Sequence, residues 1–248
     1  MENKKYKLTG ESIEVKGKTL YRIEALKDFC GIKKGDKGGF IESENNLAHE
    51  GDAWVSDDAC VYDNAWVSGN GQVYGNARVY GSAHLCGNAC VYDYTRVCDN
   101  ARVCGNARVY DHACVHGDAW LDDNAHVSGN AHVSGNAIVS GNASVYDNAN
   151  VYNHACVHGD AQVDGNARVY GDAEISTDAD YIVFKNWWSS GRYFTWTRSN
   201  NMWSVGCFYG TGEELVKKAY KDSSKSGRQY ERIVKYVEET LKEEENGE

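Results

Sequence analysis

GNARVY (75–80), GSAHLC (81–86) and GNACVY (87–92) decide the fold, because the same six-residue phrase recurs across half of the chain. It returns as DNARVC (99–104), GNARVY (105–110), GNAHVS (129–134), GNAIVS (135–140), GNASVY (141–146) and GNARVY (165–170). An aliphatic residue stands at Val55, Val61, Val67, Val73, Val79, Leu85 and every sixth position to Ile175, 21 positions without a slip. Two residues before each stands Ala, except at Gly71 and Thr95. Such a period marks a repeat architecture in which no unit buries its apolar face alone. Ala and the aliphatic residue lie two apart, so on extended chain both point the same way, inward. The residue between them and the one just after the aliphatic face outward. The Gly/Asp and Asn/Asp pair that follows tolerates positive φ and turns the chain. Each unit is a short strand plus a corner.

This array resembles the hexapeptide repeat of left-handed parallel β-helix proteins. Their rule is an aliphatic residue at the first position and a small one at the fifth, as in Val79-Tyr80-Gly81-Ser82-Ala83-His84. The resemblance implies three hexapeptides per triangular coil, hence seven coils from residues 51–176. At a strand spacing of ~4.8 Å the prism would be roughly 34 Å long. The flanks carry resemblances too. KKGDKGGFIESENNLAHEGDAWV (33–55) resembles the lead-in segment of hexapeptide-repeat proteins of bacteria and their phages. GCFYGTGEELVKKAY (206–220) resembles a small C-terminal domain of the same group, marked by GCFxGT.

The expected organisation is mainly β: an N-terminal β cap (1–50), the β-helix (51–176) and a small α+β domain (177–248). Val15-Lys16-Gly17-Lys18-Thr19 reads as a hairpin turn. Tyr181–Phe184, Tyr193–Thr197 and Met202–Phe208 read as strands, and Glu213–Tyr220 and Gly227–Glu244 as helices.

The net charge is −10, and the repeat carries 15 acids against five Arg and no Lys, so it holds essentially all of it. Direct nucleic-acid binding is therefore not expected. An acidic rod could instead mimic a nucleic acid, but most of these acids occupy corners, where Asp suits the turn. No apolar run is long enough for a membrane span and no signal-peptide pattern opens the chain, so a cytoplasmic protein is expected, in the host cell if phage-encoded. Seven of the nine cysteines fill repeat slots also held by Ser, Tyr and His, and no CxxC pair occurs. They read as tolerated thiols of a reducing compartment rather than a disulfide framework, and no metal site or cofactor is expected.

With about 18 residues per coil, positions 18 apart should stack in columns on three faces. Face one begins at Trp54, face two at Cys60 and face three at Trp66. Faces one and two each carry four Tyr in their second column, and such ladders tolerate water. Face three has none there and presents Trp66, Trp120 and Ile138 outward. It is expected to be covered, by another subunit or by the C-terminal domain folding back. The resemblance adds weight to a homo-oligomer, a trimer foremost. Arg78 and Arg96 should stack one coil apart, with Arg102 and Arg108 on adjoining faces. Acids in neighbouring corners could pair with them. Alternatively they form an anion pocket flanked by Tyr80 and Tyr92, suited to a phosphate or nucleotide. Arg192, Trp196, Arg198 and Trp203 are a second set of ligand candidates, and equally a domain core.

Many left-handed β-helix proteins are acyltransferases with a His as general base. His84, His116, His126, His132 and His158 lie outward here, but no loop interrupts the repeat. No catalytic residue is assigned, and Cys207 lacks a His–Asp arrangement. The favoured reading is a non-catalytic oligomeric binding or scaffold protein. The resemblance makes it phage- or mobile-element-associated, a counter-defence inhibitor that sequesters a nucleotide signal or blocks a host protein. An acyltransferase-like enzyme and a nucleic-acid mimic are the alternatives.

Overall fold

The computed structural model describes residues 4–246. From Trp54–Val55 to Glu174–Ile175, each hexapeptide forms one two-residue rung. Rungs 18 residues apart pair in parallel, as in Cys90↔Arg108 and Val91↔Val109. Three sheets result, and each is one face of a triangular β-solenoid. The inward Ala and aliphatic side chains are fully buried along its length and form one continuous core. A corner follows each rung. Its first residue takes the left-handed conformation, with φ of +69° at Gly75, +60° at Asp63 and +64° at Asn153. That requirement restricts the slot to Gly, Asp and Asn.

The solenoid is longer than the strict repeat. Strand β3 (Lys37–Ile41) pairs in parallel with the rung at Cys60–Val61, and Leu47 bridges to Val67. Residues inside the expected cap thus begin an additional turn, giving about eight turns rather than seven. Ile41 and Leu47 keep the six-residue phase, but Leu47 and Val55 are eight apart. That two-residue slip hides the first turn from a strict period. Ahead of it, β1 (Tyr6–Val15) and β2 (Lys18–Ala25) form the expected hairpin, turning at Lys16 and Gly17, both at positive φ. They extend face two into a ten-stranded sheet.

The inter-coil ladder is polar. Each rung donates its N–H groups to the coil that follows, as from Cys60 N to Ala77 O at 2.9 Å. The N-terminal end therefore presents carbonyls and the C-terminal end presents N–H groups, all needing partners. Donors close the first end. Asn46 Nδ2 bonds Asp63 O and Ala65 O at 3.0 and 2.9 Å. The fully buried Lys5 side chain bonds Ala53 O at 2.6 Å and Gly51 O at 3.2 Å. Burial draws its ammonium down to a pKa of about 8 against the opposing pull of Asp52. Acceptors close the other end: Asp178 for Gln162 N (2.8 Å), Thr195 for Arg168 N (2.9 Å) and Ser199 for Glu174 N (2.7 Å). Asp180 Oδ2 takes the N–H groups of Ser176 and Thr177 at 2.7 and 2.8 Å.

Beyond this cap lies an antiparallel sheet of Tyr181–Lys185, Tyr193–Thr197, Met202–Val205 and Phe208–Gly210. The expected strand over 202–208 is broken into a hairpin at Gly206, which sits at positive φ. Helices α1 (Gly212–Asp222) and α2 (Ser224–Asn246) follow. A capping box starts α1: Thr211 Oγ1 accepts from Glu214 N and Glu214 Oε2 accepts from Thr211 N. Among the described residues no helix is long and apolar enough to cross a membrane.

Burial works to raise the Asp180 carboxyl, but the Ser176 and Thr177 N–H groups and hydroxyls outweigh it and hold the pKa low. A folded-state pKa below the unfolded one contributes stability above about pH 4, lost as pH falls through the folded value. Asp180→Asn is therefore expected to lower the denaturation midpoint at pH 7, with the gap to wild type closing below pH ~4. Denaturant titrations at both pH values check this; a pH-independent gap would mean that the carboxylate's charge is irrelevant to the cap. Val127→Ala in the core is expected to cost about 2 kcal/mol by the same method.

Candidate functional site

Both appendages fall on face two. At its N-terminal end the hairpin tip brings Lys16 Nζ to 4.4 Å above the Tyr80 ring. At the other end Arg168 is held by Thr195 and by Gly206 O (2.7 Å), and Tyr209 packs edge-on against Tyr170 at 4.4 Å. Between them face two lies open. Its outward first column reads Arg78, Arg96, Cys114, His132 and Asn150, in register one coil apart.

A cleft of about 880 Å³ opens beneath the hairpin and is lined by Lys16, Arg78, Tyr80, Tyr94, Arg96 and His112 among others. Arg78 and Arg96 are exposed register partners, and neither closes an ion pair among the described residues. The corner acids are engaged elsewhere. Asp57, Asp63, Asp99 and Asp111 accept the backbone N–H of the corner one coil on, at 3.0–3.1 Å. Pairing of the arginines with corner acids, one of the two sequence expectations, is thus not what the structure shows. Three further charges line the cleft: Arg22, bonded to Glu11 (2.6 Å) and set over the Phe40 ring, Glu11, bonded also to Lys37, and the exposed Asp58, 3.7 Å from Arg22. At the rim Tyr94, 60% exposed, stacks on His112 with centroids 5.3 Å apart. The cleft combines two unpaired guanidiniums, an ammonium and an exposed aromatic plane.

The remaining candidates lie elsewhere. Arg102 is on face three between the rungs of His84 and Trp120, and Arg108 is on face one. Tyr92 stacks between Tyr74 and Tyr110 at 4.7 and 5.2 Å on face one. Arg102 and Arg108 thus lie on the adjoining faces where the 18-residue spacing puts them, and of the two flanking tyrosines only Tyr80 borders the Arg78–Arg96 cleft. Trp196 and Trp203 are 2% exposed and belong to the core of the C-terminal domain, which removes them as ligand contacts. Arg198 pairs with Glu244 of α2. Arg192 does border a small cavity of about 280 Å³, with Cys207 and Lys218. On face three Trp66, Trp120 and Ile138 are exposed at 46, 43 and 37%, so the C-terminal domain does not fold back over them. Cys86 and Cys104, vertical neighbours there, are joined by a disulfide, which corrects the reading of all repeat cysteines as thiols. Stacking in register brings their Cα atoms to 4.6 Å, within bonding reach.

Tyr94, His112 and Lys16 were not singled out from sequence. A signal existed: in Asp93-Tyr94-Thr95 the Asn/Asp and Ala slots of the repeat depart together. His116 Nδ1 lies 3.8 Å from Asp99 Oδ2, and His84 Nε2 is 3.1 Å from Ser68 Oγ and stacked on Trp66.

The fold and this surface define a β-solenoid repeat protein. The family model described as the YdcK β-solenoid repeat matches residues 72–87 and 101–117, so the chain is similar to that family over two stretches of the array. No curated protein matches the chain in sequence.

Arg78 and Arg96, which close no ion pair among the described residues, repel each other. Arg78→Gln, a residue that Gln72 shows the slot accepts, is expected to raise the thermal midpoint at low ionic strength. The gain should shrink in high salt, where the repulsion is screened. Melting curves at two salt concentrations decide it; a midpoint that falls at both would show the pair to be stabilising.

Proposed function

We propose that this protein is a non-catalytic binding scaffold whose face-two cleft takes a small anion carrying an aromatic ring, of the nucleotide class. The observation that carries the reading is the in-register pair Arg78 and Arg96 beside the exposed Tyr94–His112 stack. Guanidiniums bind phosphate oxygens through planar pairs of N–H donors, and a base stacks on an aromatic face. The cleft volume of about 880 Å³ lies within the usual range for small-molecule sites. On a chain of net charge −10, a cleft where Lys16, Arg22, Arg78 and Arg96 outnumber Glu11 and Asp58 is a local exception that favours a bound anion.

Self-association through face three fits the same scaffold. Trp120 and Ile138 are register partners and form an exposed apolar pair, while Trp66 lies in the same column three coils away, beyond His84 and Arg102. A trimer would bury it. In the bacterial or phage setting that the flanking segments resemble, capture without turnover suits sequestration of a nucleotide signal, which is the counter-defence role proposed here. Acyl transfer is the weaker reading, because His84 is engaged by Ser68 and Trp66 and the coils run without a loop that would shape an acceptor site.

Native mass spectrometry of the gently purified protein is expected to show added mass of nucleotide size, and calorimetry with a panel of nucleoside mono- and triphosphates to show saturable binding. Arg96→Ala should weaken it about tenfold to a hundredfold, and Tyr94→Ala about tenfold. Binding indifferent to both substitutions would refute the assignment to this cleft. Trp120→Glu is expected to reduce the mass measured by light scattering to that of a monomer while leaving nucleotide binding at face two intact.

A further inference from the structure

We propose that Cys114, His116 and His132, in the open middle of face two, bind a divalent late first-row transition-metal ion, zinc foremost. One thiol sulfur and two imidazoles offer donor atoms that all lie within 4.8 Å of one another. A tetrahedral zinc ion, with bonds of ~2.3 Å to sulfur and ~2.0 Å to nitrogen, holds such donors about 3.5 Å apart. Binding requires the three side chains to turn about 1 Å closer together.

The backbone beneath is rigid. Cys114 and His132 are register partners on adjacent coils, and the His116 N–H is bonded to Val133 O at 3.0 Å. Three donors on a paired sheet are better fixed than three on loops. The donor set is borderline-soft, which suits zinc, copper or cobalt and not magnesium or calcium. Asp99 Oδ2 lies 3.8 Å from His116 Nδ1, too far for a hydrogen bond, and places a negative charge beside the site that favours a bound cation.

A cysteine thiol is ordinarily protonated and an imidazole largely neutral near pH 7. Each ion bound displaces one proton from Cys114 to solvent and gains a thiolate bond. Arg96 on the preceding rung opposes a cation, and the thiolate charge formed on binding offsets it. Three protein donors leave a fourth position for water. His116 and His132 border a cleft of about 390 Å³ that runs under Tyr209. This site shares no residue with the Arg78–Tyr94 cleft and stands independently of the nucleotide reading.

The test uses the full chain, stripped with a chelator and titrated with Co²⁺ alone. The expected result is a thiolate-to-cobalt charge-transfer band that saturates at one ion per chain and is bleached by Zn²⁺. Cys114→Ser should abolish the band, and His132→Gln should weaken cobalt affinity at least about tenfold. Cys90→Ser, on face one, should leave it unchanged. Ser144 already fills the outward slot on face one, so Cys114→Ser is expected to fold, and its melting curve checks that. Absence of the band in the wild type, its persistence in folded Cys114→Ser, or its loss in Cys90→Ser would each overturn the assignment.

Discussion

Everything in this molecule depends on the direction of the inter-coil hydrogen bonds. In a stack of parallel two-residue rungs every ladder N–H points toward the C-terminal end and every ladder carbonyl toward the N-terminal end. The array satisfies itself internally and leaves opposite needs at its two ends. The appendages meet them with opposite chemistry: ammonium and amide donors from Lys5 and Asn46 at one end, carboxylates and hydroxyls from Asp178, Asp180, Thr195 and Ser199 at the other. An unpaired end would be an open sheet edge, inviting another chain. The flanking segments are thus chemically specified closures, and exchanging them end for end would fail.

The corners obey the same logic along the prism. One corner carries an amide ladder from Asn70 through Asn88, Asn106, Asn124 and Asn142 to Asp160, each donating to the next at 2.9–3.0 Å. At the others Asp carboxylates accept the N–H of the corner one coil on. The negative charge of the array is therefore largely a by-product of turn chemistry, since Asp serves there both as a left-handed residue and as an acceptor. That weakens the case for the acidic rod as a nucleic-acid mimic, because such a role would need the charges arranged for a partner.

The solenoid was legible because its rule is local: period six gives the rung, Ala and Val give the inside, Gly and Asp give the corner. The columns followed by arithmetic, and Arg78 did fall upon Arg96. What lay outside that rule was harder to read. The first turn slipped by two residues between Leu47 and Val55 and so left the pattern. Trp196 and Trp203 looked alike as ligand platform or core, since burial depends on what packs across them, here Tyr230 and Val234 of α2. The disulfide needed two cysteines in one column, and Cys86 and Cys104 were in one; composition had argued the other way.

Departures from a strong repeat carry information because the repeat tolerates so little. On face two they gather. A pair of like charges stands where any small polar residue would fold as well, Tyr94 and Thr95 replace the Asn–Ala signature, and two histidines and a cysteine converge on one spot. Faces one and three also vary, but toward ladders of tyrosine and strips of apolar surface that stack or associate without strain. Face two gathers two stacked arginines with no ion pair among the described residues and, one coil further on, three metal-type donors. Both appendages also wall that face, narrowing it to a trough. A rigid sheet with unused valence, sheltered at both ends, is the arrangement a binding surface needs and a purely structural prism does not.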